Sequence, residues 1–169
     1  FSVHLADLGY SATAIGLLWA LGVVAEIVLF FVLPGLRNRF APLFLLLVAI
    51  GLMALRWLLI GYQADVFGWL LFAQLLHAAS FGMTHAVGIW VIDHQFPGRA
   101  HARGQAILSA ASYGGGAALG LYLAGLLWGR VEPGTAFAAM TVASLLAFAL
   151  MLASRRVVRW SPGEREAGQ

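Results

Sequence analysis

An apolar stretch, Trp69–Asp93, limits most strongly what this chain can fold into. It is long enough to cross a bilayer as one helix, since about 20 residues span the hydrocarbon core, yet it carries Gln74, His77 and His85. At about 3.6 residues per turn, His85 is expected about 80° round the helix from His77. Polar groups at membrane depth are costly, and they usually face a bundle interior or a water-filled cavity. The stretch therefore predicts a transmembrane helix that lines a polar cavity. Its stripe is formed by positions three or four residues apart: Gln74, His77, Phe81, Thr84 and Gly88.

Composition supports an integral membrane protein. Apolar residues make up 62% of the 169 residues and charged residues only 10%, against about 25% charged in soluble domains. There is no cysteine, which excludes disulfides, cysteine-ligated metals and thiol chemistry. There is no lysine, and apart from Arg56 the arginines fall in short loops between apolar runs or after the last run. That pattern is typical of membrane topology rather than of a nucleic-acid-binding surface.

Five apolar runs predict five spans. Pro34 and Gly35 are expected to end the first, and Pro97 and Gly98 to end the third. Trp57 and Tyr62 are expected to anchor the second at the membrane surface. The glycine-rich fourth run predicts close helix packing or, alternatively, a bend, and the fifth is expected to face lipid over much of its surface. The predicted spans are Ile15–Leu33, Leu43–Tyr62, Phe67–Ile92, Ala106–Trp128 and Thr135–Ala153.

The distribution of arginines predicts the orientation. Two lie in loop 35–41, two in loop 94–104 and four after residue 154, whereas Arg130 stands alone on the opposite side. By the positive-inside rule the C-terminus is cytoplasmic and residue 1 lies outside. Residues 157–169 are expected to form a disordered cytoplasmic tail. The chain starts with Phe1 and has an odd number of spans, so we expect it to be the later part of a longer protein.

Three titratable side chains lie within predicted spans at similar depth: Glu26, Arg56 and His77. At about 1.5 Å of rise per residue, all three can meet near the midplane. One interpretation is a structural ion pair with a hydrogen-bonded histidine. The other is a cluster that couples proton and substrate movement, because titratable groups at this depth mark ion or substrate pathways.

Four further side chains are cavity-lining candidates: Gln74, His85, Tyr113 and Trp19. For His85 the alternative is a buried hydrogen bond, and for Trp19 it is core packing. No nucleophile elbow, phosphate-binding loop or metal-spaced ligand set is present. His77 and His85 are eight residues apart, which does not fit a helical zinc pair. We therefore expect neither an enzyme nor a cofactor or metal.

Four segments resemble the C-terminal half of a major facilitator superfamily transporter: GYSATAIGLLWALGVVAEIVLF, LRWLLIG, QLLHAASFGMTH and RGQAILSAASYGGGAALG. The likeness is to the phenylpropionic acid permease group, which is related to the nucleoside:proton and galactoside:proton symporters. It implies an all-α membrane fold of twelve helices in two halves, with the binding site between them. Residues 1–156 then match the end of helix 7 and helices 8–12, and the missing N-terminal half of the same chain becomes a partner.

The resemblance also implies roles for residues. In the galactoside symporters, helices 8, 9 and 10 carry an acid, an arginine and a histidine, and Glu26, Arg56 and His77 occupy similar places. Those symporters have a second acid one turn beyond the histidine, where this chain has Ser80. Glu26 or the missing half is then expected to carry the proton.

The function implied is proton-coupled transport of a small organic solute across the bacterial inner membrane, with an aromatic acid such as phenylpropionate as the expected substrate. Its partners are the substrate, protons and the lipid bilayer, without nucleic acid. The alternatives are a nucleoside or sugar symporter, a membrane module whose ionic cluster is structural, and a membrane-embedded enzyme.

Overall fold

The computed structural model describes residues 1–156, and the predicted tail, 157–169, lies outside the described residues. A short helix, Ser2–Asp7, precedes five helices that are each long and apolar enough to cross a membrane. No β-strand occurs within 1–156 apart from one isolated bridge between Trp128 and Val131. The predicted all-α membrane fold with five spans is confirmed. We call the five helices span 1 (Ala12–Arg39), span 2 (Pro42–Tyr62), span 3 (Phe67–Gln95), span 4 (Gly98–Leu127) and span 5 (Pro133–Ser154).

Local sequence explains where several spans begin and end. The side chain of Ser11 caps span 1 by accepting a hydrogen bond from the Ala14 N–H at 3.2 Å, as Ser and Thr do at helix starts. Pro42 and Pro133 stand in the first turns of spans 2 and 5, where a missing N–H costs nothing. Span 3 ends at Gln95, before the predicted break, and Gly98 takes a positive φ of 65° that favours glycine.

Span 1 does not end at Pro34, and that prediction is wrong. The helix continues to Arg39, and the Phe40 N–H still bonds to the Leu36 carbonyl at 2.9 Å. A proline inside a helix removes one backbone hydrogen bond. Ending the helix there would expose several backbone groups beside an apolar segment, which is costlier in lipid. The proline is therefore absorbed into the last turns of the span.

Two spans contain π-helical segments that the sequence did not predict. Residues Ala78–Gly82 form one in span 3, and residues Ala110–Gly116 form another in span 4. A π turn contains more residues than an α turn, and such turns are frequent at functional sites. Span 4 also starts earlier than predicted, so that Arg99 and Arg103 lie in its first turns rather than in a loop.

Spans 2 and 5 form the most extensive helix pair of the described chain. Span 5 buries a face made of small and polar residues together with Phe137, while leucines on its other face stay exposed. Gly61 allows the close approach, because a Cβ at that position would lie 2.7 Å from the Cβ of Phe137. The expectation that span 5 faces lipid over much of its surface holds for its outer face only. The buried residues are Ala136, Phe137, Thr141 and Ser144.

Spans 1, 2 and 3 pack together around one apolar core, whereas span 4 contacts span 3 through its first half. Within residues 1–156, nothing approaches the position of an added Cβ at Gly114, Gly120 or Gly125. The close packing predicted for these glycines is therefore not made by any described residue. The core of spans 1 to 3 consists of Leu33, Leu45, Leu46, Ala49, Met83, Val87 and Trp90.

Candidate functional site

A cavity of about 450 Å³ opens among the spans, with the side chains of Arg56 and His77 in its wall. Ser80 lines the same space, at the position where the resemblance led us to look for an acid. Half of the remaining wall residues are aromatic, and they come from the start of the chain, from spans 1, 2, 3 and 5, and from the residue after span 4. These rings are Phe1, Trp19, Trp57, Phe81, Phe137 and Trp128.

Arg56 is the buried cation of this cavity, with only 5% of its surface exposed. Its Nε–H donates to the Ala73 carbonyl of span 3 at 3.2 Å, and its guanidinium carbon lies 4.8 Å from the centroid of the Trp57 ring. The ring face and the carbonyl both stabilise a positive charge. Within residues 1–156 Arg56 forms no salt bridge. A guanidinium has five N–H donors, so donors remain for a ligand.

Trp57 does not serve as the membrane-surface anchor that we expected. Its ring stacks on Phe137 of span 5 at 5.9 Å, with the planes 27° apart, while Arg56 lies over it. Residue 57 follows Arg56 directly, but the sequence does not show that the two side chains turn to the same space. The tight packing of spans 2 and 5 places the Trp57 ring beside Arg56 in the cavity wall.

His77 lines the same cavity as Arg56. Its ring meets Trp19 edge-on at 6.3 Å and stacks on Phe81 at 5.3 Å. Its Nδ1 is buried and has no hydrogen-bond partner among residues 1–156. The indole Nε1–H of Trp19 donates to the Ser2 hydroxyl at 3.0 Å. The structure thus brings three predicted side chains together: Arg56, His77 and Trp19.

Glu26 is not in this group. It packs against Gly82 of span 3, where an added Cβ would lie 3.3 Å from both its Cγ and its Oε1. Gly82 lies three residues before His85 on span 3. Within the described chain no salt bridge joins Glu26 to Arg56. Depth along a helix does not say which way a side chain points.

His85 and Tyr113 meet across spans 3 and 4, with a hydrogen bond between the Tyr113 hydroxyl and His85 Nδ1. His85 also stacks on Phe81 at 6.4 Å, with the planes 5° apart. His77 and His85 thus both stack on Phe81, and the π segment Ala78–Gly82, which contains Phe81, lies between them.

Gln74 lies outside the cavity wall. It is fully buried between spans 1 and 3, with its Oε1 3.4 Å from the Cβ position of Gly22. Neither of its amide atoms has a hydrogen-bond partner among the described residues. Gln74 is therefore an interior residue of the helix interface, and of the four cavity-lining candidates only Trp19 appears in the wall of this cavity.

Sequence reasoning missed several residues of the wall. Phe137 and Met140 of span 5 contribute to it, although span 5 carries no titratable residue. The sequence did contain one indication of this face of span 5. Residues four apart lie on one helix face, and such a row is formed by Ala136, Met140 and Ser144. Small residues on such a row favour close packing in lipid.

Comparison with known proteins places the chain in a family. A family model described as "MFS_1 like family" matches residues 1–139. The chain belongs to the MFS_1 like family. This confirms the resemblance to major facilitator superfamily transporters, and with its five apolar helices the chain is a multi-pass membrane protein.

One curated relative is the "Probable 3-phenylpropionic acid transporter" of Escherichia coli (strain K12). It is 35% identical over 120 residues, which cover 71% of this chain and 31% of the relative. The chain thus spans about a third of that relative's length. No solved structure matches the chain.

Proposed function

We propose that the chain is part of a secondary transporter that carries a small aromatic carboxylic acid, together with protons, across the bacterial inner membrane. One observation supports this most: a buried guanidinium without a carboxylate partner among residues 1–156, Arg56, in a cavity with aromatic walls. A charge at this depth is costly unless it is paired. An acidic ligand would supply the missing partner.

The dimensions and chemistry of the cavity fit such a ligand. Its volume of about 450 Å³ lies within the range of about 300–1,000 Å³ usual for small-molecule sites. The planar guanidinium can bind a carboxylate through two parallel hydrogen bonds. The rings of Trp19, Phe81 and Phe137 offer faces and edges to an aromatic ring. The curated relative carries 3-phenylpropionic acid in its name, which supports the same substrate class.

Proton coupling is the second part of the proposal. Substrate movement would follow alternating access, in which two halves rock about a central site, and the second half would be the N-terminal half of the same protein. Glu26 is the one acid within the five spans among residues 1–156 apart from Asp93 at the end of span 3. We assign to Glu26 the uptake and release of the proton, to Arg56 the substrate carboxylate, and to His77 a hydrogen bond at the edge of the cavity. The C-terminus is cytoplasmic in this proposal.

Uptake into proteoliposomes tests the proposal. The full-length protein, in which the proposed N-terminal half precedes these residues, is called the full chain in every experiment below. It is reconstituted, and radiolabelled 3-phenylpropionate is offered outside at a lower pH than inside. We expect accumulation that an uncoupler abolishes and that excess unlabelled acid competes away. The matched control competitor is 3-phenylpropionamide, which has the same ring but no carboxylate, and it is expected not to compete.

Two results would contradict the proposal. Accumulation of a nucleoside or a galactoside instead of the acid would favour a nucleoside or sugar symporter. A lack of uptake and of exchange for all these solutes would favour a membrane module in which Arg56 has a structural role.

A further inference from the structure

Two sets of titratable groups lie on either side of Phe81. One set, Arg56 and His77, lines the cavity. In the other set, Glu26 packs against Gly82, which lies three residues before His85 on span 3, and His85 is hydrogen-bonded to Tyr113. Phe81 stacks on His77 at 5.3 Å and on His85 at 6.4 Å, so its ring lies between the two histidines along span 3. An apolar ring in this position separates the two sets.

We infer that Glu26, His85 and Tyr113 form a proton-binding site of their own, separate from the substrate cavity. The geometry comes from three spans. Span 3 supplies His85, span 4 supplies Tyr113 through the hydrogen bond to Nδ1, and span 1 supplies Glu26. This inference deepens the proposed function, on which its role in coupling rests.

The surroundings of Glu26 leave two ways to stabilise its carboxyl group, by binding a proton or by a nearby cation. Its Oε1 is buried and has no hydrogen-bond partner within residues 1–156. Because Gly82 has no side chain, the Glu26 side chain can pack directly against the π segment of span 3. A carboxylate in such a place is stabilised either by binding a proton or by an imidazolium nearby. His85 follows Gly82 by three residues, about one helical turn, on span 3.

The hydrogen bond between Tyr113 and His85 can serve both states of the imidazole. In the neutral ring Nδ1 accepts from the Tyr113 hydroxyl, and in the protonated ring the Nδ1–H donates to the Tyr113 oxygen. One proton can then reside on Glu26 or on His85, with the other group deprotonated. Both π segments take part, since Gly82 belongs to one and Tyr113 to the other. The charged and titratable groups around the site are Glu26 of span 1, Arg56 of span 2, His77 and His85 of span 3, and Tyr113 of span 4.

Infrared spectroscopy of the full chain in lipid tests the inference. The protonated carboxyl of Glu26 is followed against pH by its C=O stretching band, which is assigned by its loss in Glu26→Gln. In His85→Gln we expect the midpoint of this band to move to higher pH by about one unit or more, because the imidazolium no longer stabilises the carboxylate. Tyr113→Phe is expected to give a smaller shift in the same direction, since it removes the acceptor of the imidazolium N–H.

His77→Gln is the matched control, because His77 stacks on the other side of the Phe81 ring. In this variant the midpoint of the Glu26 band is expected to equal that of the parent. Unchanged midpoints in both His85→Gln and Tyr113→Phe would overturn the inference. A shift in Arg56→Gln larger than that in His85→Gln would also overturn it, since Glu26 would then pair with the cavity arginine. The titration needs no substrate, so its outcome does not depend on whether the transport proposal holds.

Discussion

Arg56 is held in place by two contacts that the sequence alone does not reveal. Its Nε–H donates to the Ala73 carbonyl, and its guanidinium carbon lies over the Trp57 ring. A lysine would keep the charge but would lose both the planar stacking and the paired donors. We therefore expect the planar geometry of the Arg56 guanidinium, and not only its charge, to determine substrate binding.

The first prediction concerns Arg56→Lys in the full chain. Loss of a hydrogen bond between charged partners costs about 1.5–3 kcal/mol, which corresponds to roughly a ten- to hundredfold rise in the substrate concentration at half-maximal uptake. Initial rates of 3-phenylpropionate uptake measure it. Arg39→Lys is the control, since Arg39 is exposed at the end of span 1. If Arg56→Lys reaches half-maximal uptake at the same substrate concentration as the parent, the substrate does not bind this guanidinium.

At the scale of the helix, small residues decide where spans approach one another. Gly61 faces the Cβ of Phe137, and Gly134 faces the ring of Tyr62, where an added Cβ would lie 2.8 Å from Cε1. These two glycines lie on opposite partners of the pair formed by spans 2 and 5. The pair carries one wall of the cavity through Trp57 and Phe137, so its spacing also sets the shape of the candidate site.

The second prediction concerns Gly61→Ala. The new Cβ would lie 2.7 Å from an atom fixed to the backbone of span 5, so the two helices must separate. Overpacking of this kind costs typically about 1–3 kcal/mol. We expect a lower midpoint of thermal unfolding in detergent than for the parent. Gly51→Ala is a matched control in the same span, because its Cβ would meet only Phe148 Cε2 at 3.9 Å. Equal losses in the two variants would contradict the close approach.

Hydropathy predicted the five spans well because backbone groups in lipid must be satisfied within a helix, which makes long apolar runs hard to misread. The same pattern did not predict which residues meet. Glu26 and Arg56 were expected at similar depth, yet Glu26 packs against Gly82 whereas Arg56 lines the cavity together with His77. The direction of a side chain depends on helix rotation, and a π segment changes that rotation locally. Pro34 is a second example of what the sequence pattern does not determine. Whether a helix ends at a proline depends on the neighbouring residues and on the lipid.

At the scale of the whole molecule, the spans alternate in direction, so that the loops near Asp65 and Glu132 share one side and those near Asn38 and Gly98 the other. All four residues are exposed. The arginine-rich loops and the C-terminal segment are proposed to be cytoplasmic. The site therefore has Glu26, His85 and Tyr113 toward the cytoplasmic side of His77 in the proposed orientation.

The third prediction tests this orientation. The chain has no native cysteine, so a cysteine introduced at one position is its single reactive thiol. In intact cells an impermeant thiol reagent is expected to label Asp65→Cys and Glu132→Cys, and to label Asn38→Cys and Gly98→Cys only after the cells are opened. The opposite pattern would reverse the orientation.

The measurement that tests the central claim most directly is uptake by the Glu26→Gln variant of the full chain. A glutamine resembles the protonated carboxyl and cannot release a proton. Accumulation of 3-phenylpropionate driven by a proton gradient is therefore expected to fail, while exchange of labelled for unlabelled substrate across the membrane continues because it need not move a proton. If Glu26→Gln concentrates the substrate as well as the parent does, Glu26 does not couple transport to protons, and the proposed coupling mechanism is contradicted.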